Sequence, residues 1–217
     1  MFKEWYDLQT NITKQKVRDL VKEGRLDLVN GGWTSPDEAT TQFDSLIDNF
    51  MVGQQWLKKE FGHHSKVSWS IDALGISSGY ARLARDVGFD MMVYSKVNSY
   101  EKEAMRKNKT RTQVWRPHEE NLGMRKDILG VALDQQKNGS LGAYCWPHGF
   151  YVDQNYLQDV PMVLKKGQPG YKFDKLVKSL YKDVKEYLDR ERTNHVMRPF
   201  GCDMAYVDAE MNYIITD

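Results

Sequence analysis

Cysteine is almost missing from this chain. Its 217 residues include two, Cys145 and Cys202, which excludes a disulfide framework and matches no zinc-finger spacing. Proline is scarce, at six residues, and no low-complexity stretch or Pro/Gly linker interrupts the chain, so one domain or a piece of one is expected. An excess of one charge is also lacking. The 31 basic and 30 acidic residues leave a formal charge of +1, without the basic surplus of a nucleic-acid binder. No apolar run approaches the roughly 18 residues of a membrane span. The opening residues, Met1-Phe2-Lys3-Glu4-Trp5-Tyr6-Asp7, bring acids and aromatics where a signal peptide has an apolar stretch. On this ground the chain is either cytosolic or begins downstream of the true N-terminus. What is present is a hydrophobic share of 41%, enough for a packed core and too much for wholesale disorder.

Helical and strand periods alternate along the chain. Val17, Leu20 and Val21 predict a helix over 14–23, and a short strand follows over 26–29. Ser35-Pro36-Asp37-Glu38 reads as a helix start with Ser35 as N-cap and Glu38 closing a capping box. The stripe Phe43, Leu46, Ile47, Phe50, Leu57 and Phe61 continues it. Strands are predicted over 67–72, 91–97 and 112–116, with a helix over 77–87 and an apolar run over 141–146. A long helix is predicted over 173–192, then a strand over 195–202 and a last helix over 210–216. The alternation implies an α/β fold with parallel strands and helices outside, a sheet or barrel. In such folds chemistry gathers at the C-terminal ends of strands.

Asp72 and Asp203 each close a predicted strand. Two carboxylates at one mouth of a barrel are the minimum kit for glycoside hydrolysis. The competing reading makes each acid only the N-cap of the next helix. The histidines carry less: His63 and His64 read as solvated, and none of the five shows the helical spacing of a zincin site. Gly75, Gly79 and Gly88 are too spread to cradle a phosphate. Three N-glycosylation sequons begin at Asn11, Asn108 and Asn138. Roughly one is expected by chance at this length, so three point toward a secretory protein.

The blocks Asn30-Gly31-Gly32-Trp33-Thr34-Ser35-Pro36-Asp37-Glu38-Ala39 and Trp69-Ser70-Ile71-Asp72 resemble those of the retaining alpha-mannosidases of glycoside hydrolase family 38, closest to the lysosomal branch. The resemblance continues through Gly88-Phe89-Asp90, Trp115-Arg116-Pro117, Arg192-Thr193-Asn194-His195 and Gly201-Cys202-Asp203. It implies a parallel-strand (β/α) barrel-like catalytic domain. It also implies Asp72 as nucleophile and zinc ligand, Asp203 as general acid/base, and Lys96, Tyr151 and Leu74 beside the sugar. The implied substrate is a mannose-containing N-glycan oligosaccharide, the cofactor Zn2+, and the compartment a lysosome or vacuole. An acid pH optimum follows, since Asp203 must begin protonated.

Two departures from the family pattern stand out. Its nucleophile is normally followed by Pro-Phe-Gly-His-Ser, whereas Ala73-Leu74-Gly75-Ile76-Ser77 stands here. Leu74 removes an aromatic surface worth about 0.5–1.5 kcal/mol in stacking. Lys96 stands in for an arginine, replacing a bidentate donor by a point charge. The alternative is therefore a catalytically degenerate relative that binds glycans. The family's other zinc ligands have no counterpart here, and one carboxylate does not hold zinc tightly. The expectation is that residues 1–217 form part of the N-terminal catalytic domain, with its first strand and later domains absent, and that the isolated segment is inactive.

Overall fold

A computed structural model describes residues 1–37, 40–134, 165–201, 206 and 209–216. Two compact units are present, one of Met1–Lys96 with Gln113–Val131, the other of Val97–Thr112 with Ala132–Asp217.

The first unit opens with α1 (Phe2–Asp7) and α2 (Asn11–Lys22), the latter capped by the Thr10 hydroxyl on the Thr13 N–H. Helix α3 (Phe43–Phe61) buries Leu46, Phe50, Gly53 and Leu57. Tyr6 of α1 is buried and donates to Glu60 of α3 at 2.5 Å. Burial and that carboxylate push the Tyr6 hydroxyl up to about 12. Next come β1 (Val67–Ser70), α4 (Ser78–Val87) and β2 (Met91–Tyr94). Strands β1 and β2 pair in parallel from Val67↔Met91 to Ser70↔Tyr94, with α4 as the crossover.

Then follow α5 (Ser99–Asn108), β3 (Thr112–Trp115), the short α6 (Glu119–Leu122) with a 3-10 turn over Gly123–Lys126, and β4 (Ile128–Ala132). The sheet order is β1-β2-β4-β3. Central positions pack tightly: Met92, Val93, Tyr94, Ile128 and Ala132 are all buried, while Val114 on edge strand β3 is 65% exposed. The second unit is completed by α7 (Phe173–Leu188) and α8 (Ala209–Thr216). The architecture is mixed α/β around a four-stranded sheet. Among the described residues no helix is long and apolar enough to cross a membrane.

Several boundaries differ from the sequence expectation for local reasons. No strand forms over 26–29. The Asn30 N–H does bond to the Val67 carbonyl at 2.7 Å, but Asn30 and Gly31 both adopt positive φ and turn the chain off the edge of β1. The helix expected from Ser35 begins instead at Phe43, because the Thr40 N–H and the Thr40 and Thr41 hydroxyls all bond to the Asp37 carbonyl. Such local bonds compete with helix extension. Residues 195–200 form no strand either: the Thr193 hydroxyl accepts from the His195 N–H and donates to its carbonyl, both at 3.3 Å. His63 is not solvated but half-buried against Leu28 O and Asp27. The apolar run over 141–146 lies outside the described residues.

Candidate active site

Parallel register brings the first candidate residues together. Ser70 and Tyr94 are the last paired residues of β1 and β2. Asp72 and Lys96 each lie two residues further on, at the C-terminal ends of neighbouring parallel strands. Their side chains meet, with Lys96 Nζ 2.6 Å from Asp72 Oδ1. Both remain open to solvent, at 71% exposure for Asp72 and 42% for Lys96. An ion pair that exposed contributes little to stability.

The alternating Val67-Ser68-Trp69-Ser70 run holds this strand end in place. Ser68 and Ser70 are buried, and both hydroxyls lie within hydrogen-bond reach of the Tyr80 hydroxyl of α4, at 3.2 and 3.0 Å. On the other side the Trp69 N–H bonds to Asn30 Oδ1 at 3.3 Å. Two small hydroxyl residues at period two, followed by a tyrosine in the crossover helix, are a signal the sequence reading missed.

Asp72 is not a helix cap. The N-cap of α4 is Ser77, whose hydroxyl accepts from the Tyr80 N–H at 3.1 Å. The capping explanation for an acid after β1 therefore does not hold. Leu74 is 69% exposed in the same turn. Asp203 and Tyr151 lie outside the described residues, as do Cys145 and Cys202.

Upstream, the Asn30-Gly31-Gly32-Trp33 loop leans on α3 at very short range. A Cβ on Gly53 would lie 2.2 Å from the Gly31 carbonyl oxygen, and one on Gly32 would lie 2.6 Å from Asn49 Nδ2. Asn49 Oδ1 also accepts from the Thr34 N–H at 2.8 Å. The close approach leaves Trp33 half exposed between two hollows of about 540 and 630 Å³.

The second unit holds a network of buried charge that the sequence reading also missed. Asp134 is fully buried and contacts three guanidinium groups: Arg106, through Nε at 2.8 Å and through Nη2, Arg190 at 3.0 Å and Arg111 at 3.4 Å. Arg111 in turn pairs with Glu191, and its guanidinium lies 3.9 Å from the centre of the Tyr187 ring. Burial pushes the Asp134 carboxyl up, but the arginines outweigh it and hold it below the usual range. Burial also pushes Glu191, and there it prevails, so that carboxyl lies above its ordinary value.

The resemblance implies zinc at Asp72. Among the described residues no three His, Cys, Asp or Glu side chains gather closely enough to hold a metal ion. Asp72 alone does not fit zinc, which takes three or four protein ligands.

A mixed α/β domain with an accessible acid just past a parallel-strand end has that acid where the chemistry of such folds gathers. A family model described as "Glycosyl hydrolases family 38 N-terminal domain" matches residues 1–216, and the chain belongs to that family. It is 33% identical over 215 residues to the lysosomal alpha-mannosidase of Dictyostelium discoideum, covering 98% of this chain and 20% of that protein. It is 30% identical to the lysosomal alpha-mannosidase of Homo sapiens, with 97% and 20% covered. An alpha-mannosidase of Canavalia ensiformis is 32% identical, with 96% and 20% covered. The chain thus spans about one-fifth of the length of the curated relatives it matches.

Proposed function

We propose that this chain contributes part of the catalytic domain of a retaining alpha-mannosidase that removes alpha-linked mannose from N-glycans in the lumen of a lysosome or vacuole. The supporting observation is Asp72: an accessible carboxylate at the end of β1, paired with Lys96 of the neighbouring parallel strand and spared from capping by Ser77. In this reading the four-stranded sheet is an arc of a (β/α) barrel whose strand ends face the substrate.

Asp72 attacks the anomeric carbon of the terminal mannose. Asp203 protonates the departing glycosidic oxygen, then takes a proton from the water that releases the sugar. Retention of configuration requires the two carboxyl groups about 5 Å apart. Lys96 holds one oxygen of Asp72 during the attack. Leu74 and Tyr151 border the sugar. Zinc is expected on Asp72 only together with ligands beyond the described residues, where it would polarise and grip sugar hydroxyls.

The test is hydrolysis of an aryl alpha-mannoside by the full-length protein that carries this chain, across pH, with and without a chelator. Activity is expected to peak at acid pH, to vanish in Asp72→Asn, and to fall on chelation and return with zinc. Retained turnover in Asp72→Asn would refute the assignment of the nucleophile. A folded, zinc-loaded wild type without turnover would replace hydrolysis by glycan binding.

A further inference from the structure

Among the three sequons, the one at Asn108-Lys109-Thr110 occupies a distinctive place in the second unit. Asn108 is the last residue of α5 and is exposed, as are Lys107 and Lys109 on either side. The helix stops there because Lys109 adopts the left-handed conformation, with φ 55° and ψ 43°. The Thr110 N–H then closes back on the Met105 carbonyl at 2.9 Å. The acceptor amide therefore stands at a turned helix end rather than inside a helical run. The Asn108 carbonyl accepts from Arg192 Nη2 at 3.2 Å, which ties the acceptor backbone down and leaves the side chain at the surface. Asn11, by contrast, opens α2, and its sequon threonine is engaged in the cap: the Thr13 hydroxyl lies 3.2 Å from the Thr10 hydroxyl, which also accepts from the Thr13 N–H. Asn138 lies outside the described residues.

We infer that Asn108 carries an N-linked glycan, an inference that rests on the lumenal reading above. The donor is a lipid-pyrophosphate-linked oligosaccharide. The Asn108 Nδ2 forms a bond to C1 of the first sugar, the bond from C1 to the pyrophosphate oxygen breaks, the lipid pyrophosphate leaves with the electron pair, and the amide gives up one proton. Transfer requires an acceptor of the Asn-x-Ser/Thr type. The fold then has to leave room for the bulky product, which the exposed end of α5 does.

The experiment uses the full-length protein purified from the cells that make it. Lys107 and Lys109 would leave too short a tryptic fragment, so the chymotryptic peptide spanning residues 101–115 is analysed by mass spectrometry after enzymatic deglycosylation in heavy-oxygen water. Position 108 is expected to appear as labelled aspartate, and the intact protein to run one glycan smaller in Asn108→Gln and in Thr110→Ala, but not in Thr110→Ser. Unlabelled asparagine at 108 in a protein that carries a glycan at Asn11 would overturn the inference while leaving the lumenal reading intact. A protein unmodified at both positions and recovered outside the secretory lumen would overturn the lumenal reading, and this inference with it.

Discussion

Two residues five positions apart divide the roles that an acid after a strand could have filled alone. Ser77 caps α4 through the Tyr80 N–H, which leaves Asp72 to Lys96. Replacing an N-cap serine by alanine costs about 1 kcal/mol. Ser77→Ala is therefore expected to lower the unfolding free energy by that amount, read as a lower denaturant midpoint with the slope unchanged, and a change below a few tenths of a kcal/mol would show that the cap is idle. At this scale the sequence placed Asp72 just past a strand end, whereas the strand expected before Asp203 does not form over 195–200 and Asp203 itself lies outside the described residues. Asp72 could be picked from its position after Val67-Ser68-Trp69-Ser70-Ile71. Its pairing with Lys96 could not, because that depends on the β1–β2 register and on a partner 24 positions away.

At the scale of elements, the tightest joint lies between α3 and the loop before β1. Gly53 lets the Gly31 carbonyl approach the helix axis, at a distance where a Cβ would collide with backbone rather than with a movable side chain. Gly53→Ala is expected to destabilise by about 1–3 kcal/mol, the usual cost of overpacking, despite alanine's better helix propensity. A melting temperature equal to or above that of the wild type would refute the close approach. Propensity and periodicity located α2, α3, α4, α7 and α8 because each carries apolar residues at helical spacing. They overlooked α5, which buries only Met105 in a polar run, and β4, whose Ile128-Leu129-Gly130-Val131-Ala132 lacks the alternation of a half-buried strand. They also placed a helix at Pro36, where hydroxyl bonds to Asp37 held the chain open.

At the scale of the whole molecule, the near balance of charge conceals a strong local imbalance. Asp134, buried among Arg106, Arg111 and Arg190, binds its proton less readily folded than unfolded. Its contribution is therefore complete above the ordinary aspartate value of about 3.9 and is lost as pH falls through the lower folded value. Glu191, with its value raised by burial, acts in the opposite sense and favours the folded state at lower pH. Asp134→Asn, which strips three guanidinium groups of their counter-charge, is expected to cost on the order of 3–5 kcal/mol. The gap to wild type, measured by denaturant titration, should hold from about pH 7 to about pH 5 and narrow only below about pH 4. A gap that closes near neutrality would contradict the network. None of this was visible in the sequence, because no local pattern links Asp134 to Arg106, Arg111 and Arg190.

The same carboxylate joins segments 28 residues apart on one side and 56 on the other. Each doubling of a closed loop adds only about 0.6 kcal/mol of entropy cost. The longer of these two spans is one doubling of the shorter, so closing it costs only about 0.6 kcal/mol more in the unfolded chain. The dear positions are the anchor points, Arg106, Arg111 and Arg190, where a shift of a single position would separate the charges from the buried carboxylate.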